Sequence, residues 1–575
     1  MKILRSLGGL ATSLSLLACS ADPTASVESD ATEVFPAASD EALSIVAMVN
    51  DPATTAEVLR GGGVSSRAAT NLLAHRDGAD GAARTADDDP FDMLAEVDAV
   101  PQVGTATIRK LAELAEARGY LEAQRRREVS VIFSPQPIAT SHNARVAELI
   151  YGAERSIDVA MYSYSDPGIQ AALADATARG VKVRFLFDTA SNDRKLTGAQ
   201  LSSSRSGRLE SIGVDVRWVN KIMHHKFMIV DGPRDSLDAA KTAHVVSGSG
   251  NWSNGAATKY DENTLFLSAM PEVALRMQRE FDTLWEGSRD LVANPELVFE
   301  ASSIDISDAD IPVAPGFDAL FTSANFTANG DTFTLTGADT VADGLVAAID
   351  AAEERILVAS GHLRSRPVSE ALMRKRAEDP DLEIRVYLDG QEYISASTHT
   401  KQVTDLEACL QLATTEAKKR SCRDKGFLFG FAVGEAGIDV RYKYYAYRWD
   451  VSYAAQMHNK FLIVDDALYT GSYNLSDNAE HNTFENMLVF RGPEFRELVG
   501  DYEEKFESMW STGEGKLEAL MDTIRTETTI PIVFDAMSLD WREVRDLKSL
   551  IAAECPAVNS ADYRQNAAAH LSCKK

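Results

Sequence analysis

Two stretches of the chain share one pattern and decide its fold: Met223-His224-His225-Lys226-Phe227-Met228-Ile229-Val230-Asp231 and Met457-His458-Asn459-Lys460-Phe461-Leu462-Ile463-Val464-Asp465. Each places a histidine, a lysine two positions later and an aspartate five positions after the lysine around an apolar run. A short motif that occurs twice with matching neighbours specifies a site far more tightly than a single copy does. The two stretches therefore indicate two copies of one domain.

The similarity between the copies extends beyond these stretches. A Gly-Ser-x-Asn element follows each of them, as Gly248-Ser249-Gly250-Asn251 and as Gly471-Ser472-Tyr473-Asn474. A Glu-Asn pair then follows at the same distance in both copies, beginning at Glu262 and at Glu485. Two sets of residues matched in type and spacing argue against a purely structural role, so we interpret them as one functional site.

Apolar runs upstream of the motifs predict the fold class. In the first copy, residues 157–161 and 181–186 are β-rich runs separated by a stretch with helical periodicity, and residues 356–359 and 384–388 repeat this arrangement in the second copy. Strands that alternate with helical patterns are typical of an α/β sheet. Aromatic pairs four residues apart near Trp285 and Trp510 predict a core-facing helix at the end of each copy.

The duplicated pattern resembles the phospholipase D superfamily. The resemblance implies an α/β fold with two domains related by a pseudo-twofold axis, each a mixed sheet flanked by helices, in residues 128–290 and 316–515 with a linker at 291–315. It also implies that both motifs contribute to one site. Because one chain carries both motifs, we expect a monomer.

The same resemblance implies the roles of the candidate residues. His224 is assigned as the nucleophile that forms a phosphohistidine and His458 as the acid/base, although the near symmetry leaves this order reversible. Imidazole suits both roles because its ordinary pKa lies close to neutral pH. The lysines Lys226 and Lys460 would hold the phosphoryl oxygens.

Further residues are expected to complete the site. Phosphate binding is assigned to the Gly-Ser-x-Asn elements through Ser249, Asn251, Ser472 and Asn474. Glu262 and Glu485 are expected to orient the histidines by accepting their second N–H. Asp231 and Asp465 belong to the catalytic motif, but their position at the far end of the strand favours a structural role. His225 should point away from His224, because strand side chains alternate in facing.

Composition limits the possible partners. The 575 residues carry a formal net charge of −28 with a pI near 4.8, which argues against broad attraction to nucleic acid or anionic membranes and leaves a local basic site possible. Nucleic acid is therefore a disfavoured partner. Cysteine and histidine show no metal-ligand spacing, and phosphoryl transfer through histidine needs no metal, so we expect neither metal nor cofactor.

The amino terminus predicts export. Basic residues precede an apolar stretch over 7–17 that is too short to span a membrane, and Leu16-Leu17-Ala18-Cys19 resembles the lipobox of bacterial lipoproteins. Residues 1–19 would be the signal, Cys19 the lipidated membrane anchor and residues 20–38 a flexible tether. An outer-membrane lipoprotein of the cell envelope follows; ordinary signal cleavage is the alternative.

The four remaining cysteines form two close pairs, Cys409 with Cys422 and Cys555 with Cys573. In an exported protein both pairs are expected to be disulfides, each contributing about 3 kcal/mol. Four reduced thiols are the alternative.

Residues 39–122 resemble a pair of helix-hairpin-helix units, with hairpins at 59–65 and 100–104. In that family the hairpin amides approach a DNA phosphate. Ser65 and Gln102 stand where the family prefers glycine, and an acidic loop at 77–89 would repel nucleic acid, so a structural or docking role is favoured. The acidic loop lacks the ligand alternation of an EF-hand and is interpreted as solvated rather than calcium-binding.

Two segments leave alternatives open. The aromatic and basic run Lys443–Asp450 could stack on a substrate or pack inward. Residues 516–575 are expected to form a small helical cap.

The primary functional hypothesis is a metal-independent phosphodiesterase of the phospholipase D type that hydrolyses the head-group side of a phospholipid. The first alternative is an endonuclease of the same superfamily, which the hairpin-like module would support. Transfer to an alcohol and a non-catalytic envelope docking protein are further alternatives. An intact set of His, Lys, Asn and Glu in both copies argues against the docking role.

Overall fold

The structure is a computed structural model that describes residues 34–291, 297–423 and 426–575. The predicted signal, the lipidation site Cys19 and the tether up to residue 33 lie outside the described residues. Within the described ranges, no helix has the length and apolar character needed to cross a membrane.

The amino-terminal module is all-helical, as expected. Its helices are α1 (Asp40–Asn50), α2 (Ala56–Gly61), α3 (Ser66–Arg76), α4 (Leu94–Ala99), α5 (Thr105–Ala117) and α6 (Tyr120–Arg125). They enclose a core of their own that includes Ile45, Leu72 and Phe91. Side-chain caps at Ser39, Thr55 and Ser65 accept the free amides at the helix starts, which fixes where α1, α2 and α3 begin.

Hydrogen bonds connect each predicted hairpin of the module to a helix of the other unit. Gly63 and Gln102 both adopt left-handed backbone conformations, with φ of 82° and 71°. Lys110 Nζ donates to Gly63 O at 2.8 Å, and Asn71 Nδ2 donates to Pro101 O at 2.7 Å. In the acidic loop, Asp87 Oδ2 accepts the amides of neighbouring loop residues, as a solvated loop would.

The half that carries the first motif is built on an eight-stranded mixed sheet in the order β1-β8-β7-β6-β2-β3-β4-β9. Its elements in chain order are β1 (Glu128–Phe133), α7 (His142–Gly152), β2 (Ser156–Met161), α8 (Pro167–Ala178), β3 (Lys182–Phe187), α9 (Ala190–Asp193), α10 (Gly198–Ser203), α11 (Arg205–Ser211), β4 (Asp215–Trp218), β5 (Ile222–Met223), β6 (Lys226–Val230), β7 (His244–Gly248), α12 (Asn254–Thr258), β8 (Asn263–Ser268), α13 (Pro271–Glu286) and β9 (Arg289–Asp290). Strands β2, β3 and β4 run parallel, and the motif strand β6 lies antiparallel to β2.

The second half repeats this architecture, in the order β10-β21-β18-β17-β13-β15-β16-β23, where β23 (Val533–Asp540) comes from the carboxyl-terminal tail. Its elements are β10 (Phe317–Phe321), β11 (Phe326–Asn329), β12 (Thr332–Leu335), α14 (Thr340–Ala351), β13 (Arg355–Ser360), β14 (Leu363–Arg364), α15 (Arg366–Glu378), β15 (Glu383–Asp389), α16 (Ala396–Leu412), α17 (Glu416–Arg423), α18 (Gly430–Glu435), β16 (Asp439–Ala446), β17 (Lys460–Val464), β18 (Ala467–Gly471), β19 (Leu475–Ser476), α19 (Asp477–Asn482), β20 (Thr483–Phe484), β21 (Asn486–Phe490) and α20 (Arg496–Trp510). The predicted α/β class with two mixed sheets flanked by helices is confirmed.

The central strands are apolar on both faces because each sheet is covered on both sides. Every residue of β6 and of β17 is buried, which explains why the motif strands read as continuous apolar runs rather than as alternating ones. The aromatic residues near the ends of α13 and α20 face the core, as predicted: Phe281 stacks on Trp285, and Phe506 stacks on Trp510. The first three are buried, and Trp510 is partly buried against the same core.

The carboxyl-terminal tail differs from the expected helical cap. It contains α21 (Lys516–Thr526), β22 (Thr529–Pro531), β23 (Val533–Asp540), α22 (Trp541–Glu554), α23 (Ala561–Gln565) and β24 (Ser572–Lys574). Strand β23 pairs with β16 and forms the edge of the second sheet, the place that β9 takes in the first. The tail is therefore an integral part of the second half, because β16 would otherwise leave its backbone groups unpaired.

Both predicted disulfides are present. Cys409 pairs with Cys422 and joins α16 to α17, and Cys555 pairs with Cys573 and ties the end of α22 to β24.

The two halves share a buried polar network at their interface. Asn263 Nδ2 donates to Asn459 Oδ1 at 3.0 Å, and Asn486 Nδ2 lies 3.0 Å from His225 Nδ1 in the pseudo-symmetric position. Each contact joins the middle residue of one motif to the asparagine that follows the glutamate of the other half. His225 also contacts Glu280 and so belongs to this network.

We expect Asn263→Ala to lower the free energy of unfolding by about 2–3 kcal/mol, because buried partners would lose their hydrogen bonds. Asn263 Oδ1 accepts from Thr470 Oγ1 and Tyr502 Oη, each at 3.1 Å, and all of these groups are buried. Denaturant unfolding followed by tryptophan fluorescence measures the loss. Asn192→Ala, on an exposed part of α9, is the matched control, and equal midpoints for the two variants would contradict the prediction.

Candidate active site

Each motif histidine is held by the backbone of the opposite half. His224 N donates to Phe484 O at 3.1 Å, and His458 N donates to Asp261 O at 3.0 Å. Strand β5, just before His224, pairs with β20 of the second half, and Met457 forms the equivalent bridge to Asp261. The segment that carries each glutamate is thereby fixed beside the histidine of the other half.

The side chains repeat this crossed arrangement. His224 Nδ1 lies 2.7 Å from Glu485 Oε1, and His458 Nδ1 lies 2.8 Å from both carboxylate oxygens of Glu262. A carboxylate that accepts from Nδ1 fixes the tautomer and leaves Nε2 available for chemistry. Both glutamates are thus in the histidine-orienting position that the sequence predicted, but each acts across the interface, which the sequence did not indicate.

The two lysines bring positive charge to the same place. Lys226 Nζ donates to His224 O at 2.7 Å and lies 3.2 Å from His224 Nδ1; Lys460 makes the same contacts with His458 at 2.7 and 3.2 Å. Both lysines are buried, and each lies close enough to the other histidine to lower its pKa. The four side chains therefore converge on one location.

Burial and mutual repulsion shift the titration of this cluster. Burial is the largest cause throughout: it lowers the pKa of Lys226 to about 7, of Lys460 to about 8 and of His458 to about 4, and it moves the pKa of His224 well below its ordinary value. Burial also raises the pKa of Glu485 to about 7. An anion bound among these groups would offset the penalty that burial places on the cations, so the site is suited to an anion.

These shifts predict the alkaline limb of the pH profile. A lysine with a lowered pKa loses its proton at a lower pH than usual, so we expect kcat/KM to fall as pH rises through about 7 to 8, where Lys226 and Lys460 become neutral. Lys226→Arg keeps the charge over this range, and its alkaline limb should move to higher pH even if the absolute rate is lower. Steady-state rates from pH 5 to about 10 measure both limbs. A flat wild-type profile above pH 7 would contradict this assignment.

The serines and asparagines of the Gly-Ser-x-Asn elements have different environments. Ser249 Oγ accepts the amide of Asn263 at 2.9 Å, and Ser472 Oγ accepts the amide of Asn486 at 3.0 Å, so both serines fix the start of the strand that follows the glutamate. The side-chain oxygens of Asn251 and Asn474 are buried without a hydrogen-bond partner among the described residues. These asparagines remain the candidates for direct contact with phosphate.

Asp231 and Asp465 lie at the opposite ends of β6 and β17 from the lysines. The carboxylate of Asp231 accepts the amides of Glu154, Arg155 and Ser156, and Asp465 accepts those of the matching residues 353–355. Their contacts are with the turn before the neighbouring strand, which agrees with a structural role and not with membership of the catalytic set.

Sequence reasoning missed a second pair of aspartates. Asp188 Oδ1 accepts the amide of Met223 at 3.1 Å, and Asp389 Oδ2 accepts the amide of Met457 at 2.8 Å. Burial raises the pKa of both carboxyls to about 6. Each follows the second apolar run of its copy, and this shared position was the signal that could have identified them.

An aromatic residue makes the site asymmetric. The Tyr162 ring lies 4.5 Å from the His224 ring and 5.4 Å from Lys226 Nζ, whereas Gly361 takes the corresponding position in the second half. The His224 side chain is 11% exposed and that of His458 is 20% exposed. Solvent therefore reaches His458 more readily than His224.

The run Lys443–Asp450 packs mainly inward. Tyr444, Tyr445 and Tyr447 are buried, and Lys443 Nζ forms a 2.8 Å ion pair with Asp261. Trp449 is the exception and is exposed.

One acidic cluster lies outside the site. Glu210, Asp215 and Asp290 come together closely enough to hold a cation. Glu210 Oε1 accepts the amide of Val216, and Asp215 Oδ2 accepts the amide of Phe299, so both carboxylates already have structural roles.

Parts of the chain are similar in sequence to known proteins. Mitochondrial cardiolipin hydrolase from Xenopus laevis is 32% identical over 154 residues, which are 26% of this chain and 65% of that protein. Phospholipase D from Rickettsia conorii is 32% identical over 142 residues, which are 25% of this chain and 62% of that protein. The chain thus spans somewhat less than two thirds of the length of these relatives.

Among solved structures, the phospholipase D family member Nuc from Salmonella typhimurium is 30% identical over 28% of this chain and 97% of its own, with a TM-score of 0.24. Phosphatidylserine synthase from Haemophilus influenzae is 13% identical over 74% of this chain and 94% of its own, with a TM-score of 0.43. The family model described as "Cardiolipin synthase, PLD-like domain" matches residues 146–285 and 345–510, which together make up more than half of the chain and include both motifs. The chain therefore belongs to the phospholipase D-like domain family.

Proposed function

We propose that the protein hydrolyses the head-group phosphodiester of a phospholipid through a phosphohistidine intermediate. The observation that carries this proposal is the convergence of two histidines, each held at Nδ1 by a glutamate of the opposite half, with two buried lysines. Hydrolysis of a phosphodiester requires a nucleophile, an acid for the leaving alkoxide and fixed positive charge around the phosphoryl oxygens. The cluster contains a group for each requirement.

In the first step, His224 Nε2 attacks phosphorus and the P–O bond to the head group breaks. The bound phosphate anion raises the pKa of His458, so that His458 enters the step protonated at Nε2 and donates this proton to the leaving alkoxide. In the second step, His458 removes a proton from water, the hydroxide attacks phosphorus, and the P–N bond to His224 breaks. The greater exposure of His458 supports this order, because the acid/base must meet both the leaving group and the water. Lys226 and Lys460 balance the charge on the phosphoryl oxygens.

The names of the relatives favour lipid as the substrate class. Cardiolipin hydrolase and phospholipase D both carry out reactions on phospholipids by their names. The net charge of −28 also disfavours a nucleic-acid backbone as the main partner. As part of this proposal, lipidated Cys19 anchors a monomeric enzyme in the bacterial envelope. Cell fractionation of Cys19→Ser should then move the protein from membranes to the soluble fraction.

An endonuclease of the same superfamily is the second candidate. The left-handed conformations of Gly63 and Gln102 give the two hairpins of the module similar backbone shapes, which favours this candidate over a docking protein. The acidic loop beside the hairpins disfavours it.

The test offers the same enzyme both substrates. Wild-type protein would be incubated in EDTA with mixed phospholipid vesicles and, in parallel, with plasmid DNA. His224→Ala is tested in the same way, and His244→Ala, which removes a histidine outside the site, is its matched control. Release of phosphatidic acid by wild type and His244→Ala, but not by His224→Ala, is the expected result. Nicking of the plasmid DNA without cleavage of the phospholipid would instead identify the protein as a nuclease.

A further inference from the structure

A cavity of about 340 Å³ lies where the tail packs on the second sheet. Its walls are rich in aromatic residues, and they include Tyr393, Tyr444, Tyr447 and Trp449. The tail contributes Lys548 from α22 and Arg564 from α23. The family match ends at residue 510, so the tail side of this cavity lies outside the part of the chain that defines the family.

Three cations around this cavity lack acidic partners. Lys548 Nζ donates to Tyr447 O at 3.0 Å and lies 4.5 Å from the centre of the Tyr447 ring, and Arg448 donates to Val558 O at 3.0 Å. Throughout the described ranges, no carboxylate lies within ion-pair distance of Lys548, Arg448 or Arg564. Burial, followed by repulsion from Arg448, lowers the pKa of Lys548 to about 8. In a chain with net charge −28, such a cluster is complementary to an anion.

The cavity is connected to the histidine cluster through buried contacts. Gly390 and Tyr445 contribute to its wall, and Tyr445 Oη lies 3.2 Å from both carboxylate oxygens of Asp389. Asp389 in turn accepts the amide of Met457, the residue before His458. A chain of contacts through Tyr445, Asp389 and Met457 therefore links the cavity to His458.

Two exposed apolar residues lie in one loop, of which Trp449 lines the cavity and Val451 follows two positions later. Trp449 is 42% exposed and Val451 is 64% exposed, and both lie in the loop that follows β16. Tryptophan favours the interfacial layer of a bilayer, where its ring is partly buried and its N–H stays hydrated. Exposed apolar side chains therefore lie beside cations that lack acidic partners. This combination is complementary to a membrane surface, where acyl chains lie next to anionic phosphates.

We propose that this cavity binds the phosphate-bearing head group of an anionic phospholipid other than the one being cleaved, while Trp449 and Val451 enter the interfacial layer of the membrane. The proposal rests on the proposed function in placing the enzyme on a lipid surface. It makes the tail a lipid-recognition element that selects anionic membranes. The basic site is local, so the acidic character of the whole chain does not oppose it.

The test uses the full chain with Cys19→Ser, which removes the proposed anchor. Binding to phosphatidylcholine vesicles is compared with binding to vesicles that also contain phosphatidylglycerol, and hydrolysis of soluble bis(4-nitrophenyl) phosphate reports the catalytic site. We expect Arg564→Ala and Lys548→Met each to reduce the preference for anionic vesicles about fivefold. Trp449→Ala should weaken binding to both vesicle types. Lys516→Met removes an exposed lysine of the same tail outside the cavity. It should change neither the preference for anionic vesicles nor the overall binding to vesicles.

The outcomes separate the two proposals. Equal preference for anionic vesicles in wild type and Arg564→Ala would overturn the cavity assignment, and Arg564 is exposed enough that its loss should not impair folding. Titration with glycerol 1-phosphate distinguishes the source of the anion: binding that Arg564→Ala abolishes, without any preference of wild type for anionic vesicles, would identify a soluble ligand and overturn the lipid proposal. Absence of bis(4-nitrophenyl) phosphate hydrolysis with intact vesicle selectivity would refute the proposed function alone.

Discussion

Replacing either His224 or His458 with alanine is expected to reduce phospholipid hydrolysis by roughly four orders of magnitude, because each variant removes a group that forms or breaks bonds at phosphorus. The two losses should not add in the double variant, since both histidines serve one reaction. Release of the head group from labelled vesicles measures the rate. His244→Ala is the control, because His244 contacts Ser268 and pairs with Val230, at the end of β6 opposite Lys226.

An activated substrate should separate the two histidines. The 4-nitrophenolate ion leaves without a proton, so His458→Ala should still release a burst of nitrophenol and accumulate phosphohistidine at His224. His224→Ala should give no burst. Intact-protein mass spectrometry after rapid acid-free quenching detects the adduct. A burst in His224→Ala and none in His458→Ala would reverse the assignment of nucleophile and acid/base while leaving the two-histidine mechanism in place.

The sequence predicted the sheets well because their signals are local. Apolar runs with β-branched residues, such as Ile157–Met161 and Ile384–Leu388, form strands wherever a sheet can cover them. The edge strand β23 was missed for the opposite reason. Whether Val533–Asp540 pairs with anything depends on the free edge of β16, which lies almost a hundred residues earlier in the sequence and is visible only once the sheet has formed.

The composition of the site was predictable, but its connections were not. The repeat identified Glu262 and Glu485 as a matched pair, and two-fold duplication is equally compatible with contacts inside each half or between halves. Only the packing of the halves decides this, through contacts such as Asn263 with Asn459. The same limit applies to His225, for which alternation gave the direction but not its partner Asn486.

Tyr162 illustrates a different limit. Its ring covers His224, and Gly361 stands in its place beside the second motif, so the two copies are least alike where their chemical roles would differ. A search for shared residues cannot detect a residue that matters because it is not shared. The asymmetry of the site therefore had to come from the structure.

The second large effect is expected when either of the glutamates that contact the histidine of the opposite half is replaced. Glu262→Gln is expected to slow steady-state hydrolysis roughly 10²- to 10³-fold, because the neutral amide no longer stabilises the imidazolium of His458 and can favour the wrong tautomer. Burial lowers the pKa of His458, and the Glu262 carboxylate partly offsets this by raising it. Loss of the carboxylate should therefore lower the pKa of His458 further. Glu485→Gln should have an effect of similar size, but through His224.

Pre-steady-state bursts with the activated substrate distinguish crossed pairing from pairing within each half. In a His458→Ala background, adding Glu262→Gln should change the burst rate little, because His458, the side chain to which Glu262 is hydrogen-bonded, is already gone. Adding Glu485→Gln to the same background should slow the burst by at least tenfold, since Glu485 holds the nucleophile. Glu280→Gln, which removes a buried carboxylate paired with the non-catalytic His225, is the matched control and should leave the burst intact. The reverse pattern, in which Glu262→Gln slows the burst and Glu485→Gln does not, would mean that each glutamate serves the histidine of its own half, and the crossed geometry would then be wrong.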